Sequence, residues 1–94
     1  MIIIYNKSFT KLFDEIKDKT VVKRANNAIQ KLKSANTLRE VTNIVPMEDH
    51  PGFYRIRFGD FRIGFFNIEG EPTVELLDID HRNDFYRKFP RNFA

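Results

Sequence analysis

A chain of 94 residues with 41% hydrophobic content and ten Phe fits one compact domain, spanning 1–94, with an aromatic-rich core, and excludes wholesale disorder. The absence of cysteine excludes disulfides, thiolate catalysis and cysteine-based zinc sites. A net charge of +3 is modest, and no stretch is long and apolar enough for a membrane-spanning helix.

The distribution of charge says more than its sum. Residues 1–34 carry eight cations against three acids, and all but Arg24 of the eight are Lys. Residues 35–94 carry eight cations against ten acids, and all but Lys88 of these are Arg. Arginine presents a planar fork that suits phosphate, whereas lysine is a mobile point charge. The opening Met1-Ile2-Ile3-Ile4-Tyr5 is too short, and lacks the basic flank, for a signal peptide. A soluble cytoplasmic protein with no membrane partner is the expectation.

In chain order, residues 2–5 are β-branched and aromatic and predict a first strand. Ser8 is placed to cap a helix in which Phe9, Leu12, Phe13 and Ile16 recur at helical spacing. Thr20 is placed to cap a second, with an apolar stripe of Val21, Val22, Ala25, Ala28, Ile29 and Leu32. The opposite face of that helix carries Lys23, Arg24, Asn27, Gln30 and Lys31. Val41 to Val45 reads as a strand, and Pro46 and Pro51 enclose an acidic turn. Phe53 to Phe58 and Phe61 to Ile68 alternate around Gly59-Asp60, a two-residue loop suited to a type II′ turn. Thr73 to Ile79 is a further strand, and His81 to Phe89 a short helix stopped at Pro90. The order β-α-α-β-β-β-β implies an α+β fold, an antiparallel sheet packed on an N-terminal helical hairpin.

The tight turn also fixes a register. Pairing Phe58 with Phe61 sets Arg57 opposite Arg62 and Arg55 opposite Gly64. Tyr54, Ile56, Phe58, Phe61, Ile63 and Phe65 then share the face that meets the helices, while Phe53, Arg55, Arg57, Arg62, Gly64 and Phe66 share the other. Like charges directly opposite cost roughly 0.2–1 kcal/mol, so the two arginines call for an anion. Either an acid of the next strand, such as Glu75, supplies it, or a phosphate does. In the second case Gly64 leaves space for a nucleic-acid backbone and Phe53 or Phe66 offers a stacking face. Asp78, Asp80 and His81, like Glu48, Asp49 and His50, are weak metal-ligand candidates and read better as solvated polar ends. No cofactor is expected.

The run Phe53-Tyr54-Arg55-Ile56-Arg57-Phe58-Gly59-Asp60-Phe61-Arg62-Ile63 resembles the "YRIRxGDYRI" hairpin of the RelE/ParE toxin superfamily. His81-Arg82-Asn83-Asp84-Phe85-Tyr86-Arg87 is similar to its C-terminal "HRxxxYR" signature. The resemblance implies a toxin of a toxin–antitoxin pair. In the RelE-like branch it implies a ribosome-dependent mRNA endonuclease, in which a ribose 2′-hydroxyl attacks the adjacent phosphate without metal. Arg55 and Arg57 then correspond to RNA-binding cations, and Arg62, Arg82 and Tyr86 to catalytic positions. The well-known nuclease has lysines at the places of Arg55 and Arg57. Arginine cannot act as a base, so proton transfer would fall to His81, Tyr86 or an acid nearby, or be weakly catalysed; His81 joins the catalytic candidates as the group suited to neutral pH. The bland reading makes His81 a helix-start residue and Tyr86 a packing residue. The ParE-like branch implies instead a non-enzymatic gyrase inhibitor, and a third reading is a degenerate toxin that only binds antitoxin. The implied partners are a cognate antitoxin, the ribosome and mRNA; an acidic or amphipathic antitoxin segment would suit the basic face of the second helix and the aromatic tail of Phe85, Phe89 and Phe93.

Overall fold

A computed structural model describes all residues 1–94. Strand β1 (Ile2–Tyr5) leads into helices α1 (Lys7–Asp14) and α2 (Lys19–Ser34), then a 3-10 turn at Leu38–Glu40. Strands β2 (Ile44–Pro46), β3 (Phe53–Phe58), β4 (Phe61–Phe66) and β5 (Thr73–His81) follow, and helix α3 (Arg82–Lys88) ends the ordered elements. The sheet runs β1-β5-β4-β3-β2. It is antiparallel except at one edge, where β1 lies parallel to β5. No helix is long and apolar enough to cross a membrane.

The helical hairpin forms as the apolar spacing demands, but different residues cap it. Asn6 rather than Ser8 caps α1, its Oδ1 accepting from the Ser8 amide at 3.0 Å. The Ser8 hydroxyl donates instead to the Leu77 carbonyl at 2.6 Å, tying α1 to β5. Asp18 rather than Thr20 caps α2, accepting from the Thr20 amide at 2.9 Å. In both cases a side chain two residues earlier reaches the first free amides, which any Ser, Thr, Asp or Asn in range can do. Phe9, Ala25, Ala28, Ile29 and Leu32 then bury against Ile56, Ile63, Phe65, Val74, Leu76 and Ile79 of the sheet.

The β3–β4 hairpin has the register that the turn implies: Phe58 faces Phe61, Arg57 faces Arg62, Ile56 faces Ile63 and Arg55 faces Gly64. Gly59 takes φ +57° while Asp60 stays at negative φ, as a type II′ turn with Gly first requires. The preceding strand is shorter than expected and shifted toward its C-terminal end. Val41 closes the 3-10 turn and is buried, and Asn43 takes φ +67°, so pairing begins only at Ile44. Such a left-handed residue cannot continue a ladder, and Asn tolerates it better than most.

A second core lies on the other face. Between Gly64 and Phe65 the β4–β5 register slips, so that Gly64 faces Asp78 and Phe65 faces Leu76, with Leu77 as the extra residue. Leu77 packs there with Phe85 and Phe89, against which Phe53 and Phe66 lean. The aromatic tail is therefore largely spent inside the fold, since Phe85 and Phe89 are buried. Gly64 does leave space, but the Phe89 ring fills it, its atoms 2.6 Å from where a Cβ would stand. Phe53 and Phe66 belong to the same cluster and meet edge to face at 5.0 Å.

Because the buried Phe89 ring sits where a Cβ would stand, Gly64→Ala is expected to push that ring, and the end of α3 with it, off the sheet. A loss of about 1–3 kcal/mol, the usual range for overpacking, should show as a lower urea midpoint at unchanged slope.

Candidate functional site

The outer face of the β3–β4 hairpin carries the charge. Arg57 and Arg62 stand directly across from each other, with Arg55 two residues along. Of these, Arg62 is only 8% exposed. Its Nη1 donates to the carbonyls of Gly59 at 3.1 Å and Phe61 at 2.9 Å, and its Nε donates to the Tyr86 hydroxyl at 3.3 Å. Its Nη2 has no partner within the chain. Arg55 Nη1 donates to the Asn43 carbonyl at 3.1 Å, and Arg57 Nη2 donates to the Asn43 Oδ1 at 3.4 Å. Asn43 thus orients both of the β3 arginines, a role with no sequence signal beyond the tendency of Asn toward left-handed backbone.

No carboxylate pairs with Arg55, Arg57 or Arg62; the ion pairs of the chain lie elsewhere. Glu75 does not neutralise them. It sits beyond Phe66 and accepts from the Asn6 side-chain amide at 3.0 Å. Neutral oxygens of the backbone, Asn43 and Tyr86 hold the three guanidinium groups, so their positive charge is oriented without being cancelled.

Helix α3 supplies the rest. Its first amide, of Arg82, donates to the Asp60 carbonyl at 2.7 Å, which fastens the helix start to the hairpin turn. The Arg82 side chain faces the same turn, with Nε 4.0 Å from Asp60 Oδ1 and both groups well exposed. Tyr86 is 45% exposed, and its hydroxyl meets Arg62. The structure therefore joins Tyr86 to Arg62, and sets Arg82 at the hairpin tip.

His81 does not join them. It pairs across from Phe61 on the face that meets the helices, and its ring lies edge-on to Phe61 at 5.8 Å. There it helps line a cavity of about 280 Å³ with Asp18, Thr20 and Arg24 at the start of α2. Its Nδ1 accepts from the Asn83 amide at 3.3 Å, making it the cap of α3. Strand alternation is the reason: Arg62 faces Asp80, so the next residue, His81, must turn to the opposite side.

Asp78 and Asp80 are engaged by a cation. Lys88 Nζ lies 3.0 Å from Asp78 Oδ1 and 3.0 Å from Asp80 Oδ2. Asp78 is wholly buried, and its second oxygen has no partner. Burial pushes the Asp78 carboxyl above its usual range, more than the Lys88 hydrogen bond and charge pull it down. Burial also works to lower the Lys88 pKa, but hydrogen bonds and attraction from both aspartates outweigh it and leave the ammonium raised. The asymmetry follows from position, because the Lys88 side chain keeps 32% exposure and Asp78 almost none.

This geometry is that of a small toxin fold, and known proteins bear it out. Toxin RelE3 of Methanocaldococcus jannaschii is 28% identical over 91 residues, covering 96% of this chain and all of that protein. The RelB–RelE antitoxin–toxin complex from Methanococcus jannaschii superposes with a TM-score of 0.75 at 25% identity, over 93% of this chain and 99% of that one. The RelE–RelB complex of Pyrococcus horikoshii shares the fold, with a TM-score of 0.69 at 19% identity over 89% and 97% of the two chains. Residues 3–86 match the ParE toxin family of type II toxin–antitoxin systems, parDE. The chain belongs to that family, within the RelE/ParE superfamily.

The Lys88 bridge has a pH signature. Asp78 has its folded pKa above its unfolded one, so ionising it costs stability, and that cost appears as pH rises through the folded value. Lys88, also raised, contributes at every pH below the lysine range and loses its effect only above it. Lys88→Met should therefore cost about 2 kcal/mol near neutrality, less than the roughly 3–5 kcal/mol of fully buried pairs because Lys88 is partly solvated. The deficit should shrink in acid, as pH falls through the raised range of the Asp78 carboxyl and that group takes up its proton. Thermal melts of parent and variant across that range measure it.

Proposed function

We propose that this toxin cuts mRNA on the ribosome, using the Arg55–Arg57–Arg62 face to hold the phosphate backbone, and that an antitoxin protein restrains it. The single observation that carries this reading is the oriented, uncompensated guanidinium cluster beside a half-exposed tyrosine hydroxyl. Such a cluster is unfavourable for the free protein and favourable for a bound polyanion.

In the proposed reaction a ribose 2′-oxygen forms a bond to the adjacent phosphorus, the bond from phosphorus to the 5′-oxygen breaks, and a cyclic phosphate remains. Charge builds on the phosphoryl oxygens as this happens. Arg62, with Nη2 free, and Arg57 beside it offer donors to those oxygens, and Arg55 extends the grip along the strand. The 2′-hydroxyl proton passes to solvent. Tyr86 accepts from Arg62 Nε, so its own hydrogen points away from the guanidinium and can go to the departing 5′-oxygen. Arg82, at the hairpin tip, fits an adjoining phosphate. His81, a proton-transfer candidate for its chemistry near neutral pH, faces the other side of the sheet and acts in this reading as the cap of α3. The antitoxin partner is carried over from the RelB–RelE complexes formed by the similar structures.

In a purified translation system the parent protein should produce codon-phased cuts that require ribosomes. Tyr86→Phe should slow them by about 100-fold or more, the scale of a lost proton-transfer group, and Arg62→Ala at least as much. His81→Ala should stay within a few-fold of parent. Intact mRNA in the presence of folded parent protein would replace this reading with a toxin that acts by binding alone, as the ParE branch implies.

A further inference from the structure

Arg62 and Asp80 are direct cross-strand partners. Opposed side chains on antiparallel strands have Cβ atoms about 4.5–5.5 Å apart, within easy reach of an ion pair. An arginine and an aspartate so placed would ordinarily join, and the pair would cancel the cation on which phosphate binding depends. They do not join here. Asp80 Oδ2 meets Lys88 Nζ at 3.0 Å, and Asp80 Oδ1 accepts from the His81 amide at 2.8 Å. Arg62 spends three donors on uncharged oxygens and keeps Nη2 free.

Lys88 and Tyr86 come from the same helix and leave it roughly 200° apart, given about 100° per residue. Tyr86 reaches Arg62 while Lys88 reaches Asp78 and Asp80. Helix α3 therefore straddles the β4–β5 pair, with the hydroxyl on the arginine and the ammonium on its natural competitor. The buried Asp78 anchors Lys88 in place, so that Asp80 is met by a cation already held over the sheet.

We propose that Lys88 is a positioning residue that holds Asp80 away from Arg62, keeping the Arg62 guanidinium available to a phosphate. This rests on the reading of the arginine face as an RNA site. Without Lys88, Asp80 turns to its cross-strand partner, Arg62, and the site neutralises itself.

The test uses the full chain, with two readouts. The first is the NMR signal of the Arg62 Nε–H group, which reports a carboxylate partner directly. Lys88→Gln should shift it, and adding Asp80→Asn to that variant should return it close to the parent position. Asp80→Asn alone, which leaves Lys88 bound to Asp78, should barely move it, because Asp80 is not its partner in the parent. The second readout is affinity for a short fluorescein-labelled oligoribonucleotide at fixed salt. Lys88→Gln should weaken binding by about tenfold, the scale of one charge-assisted contact, and the double variant should recover most of that loss.

A large shift of the Arg62 signal in Asp80→Asn would overturn the proposal, because it would mean that the pair already exists; this holds even if Lys88→Gln fails to fold. Equal weakening in the single and double variants would overturn it too, pointing to Lys88 touching the RNA itself. A parent protein that binds no RNA would instead defeat the phosphate reading, while the Arg62 signal still decides whether Lys88 controls Asp80.

Discussion

The two-residue turn at Gly59-Asp60 sets the pairing of β3 with β4, and most of the molecule depends on that pairing. Side chains alternate with a period of two, so a slip of one residue would exchange the faces of the hairpin. In the observed register Ile56 and Ile63 enter the main core, and Arg57 and Arg62 are forced side by side on the other surface. The apolar half of the pattern supplies the driving force, since each buried Ile contributes about 1.5–3 kcal/mol. The like-charge contact opposes it by at most about 1 kcal/mol. Core burial therefore holds the arginines in an arrangement they would not choose.

The bulge on β5 governs what happens around them. By adding Leu77 to the strand, it lets two consecutive residues, Leu77 and Asp78, serve the outer face. Leu77 gives Phe85 and Phe89 something apolar to cover, and Asp78 gives Lys88 a buried anchor. Helix α3 has only seven residues, too few to be stable in isolation, so these contacts and its attachment to the hairpin turn create it. Tyr86 is carried to Arg62 as a consequence of that docking.

Much of this was legible in the chain, and the exceptions have common causes. Periodicity exposed the helical hairpin, the register of β3 and β4, and the shared face of Arg55, Arg57 and Arg62. Caps were misplaced by two residues because Asn6 and Asp18 are as able as Ser8 and Thr20, and spacing does not rank them. The reading of Gly64 as room for RNA failed because the occupant, Phe89, lies 25 residues away and no local pattern predicts which ring returns. The aromatic tail reads as a surface for a partner for the same reason, whereas Phe85 and Phe89 are buried. His81 and Tyr86 looked equivalent because a motif records order, whereas the strand ending at His81 and the helix beginning at Arg82 send the two side chains to different places. Lys88, the one lysine among arginines in the second part of the chain, carries no local signal that it bridges two aspartates.

That exception among the cations suggests a division of labour. Arginine suits the open face, because it stays charged at any physiological pH and its several donors remain useful even when some are spent on carbonyls. It cannot accept a proton there, so the proposed cleavage relies on the charge it presents and on the neighbouring Tyr86 hydroxyl. Lysine suits the inner position, where one compact ammonium has to satisfy two carboxylates at 3.0 Å in a confined space. Asp80 of β5 and Arg62 of β4 are neighbours by register and would otherwise neutralise one another. Keeping them apart requires a third charge of different shape, delivered by the helix that also delivers the hydroxyl.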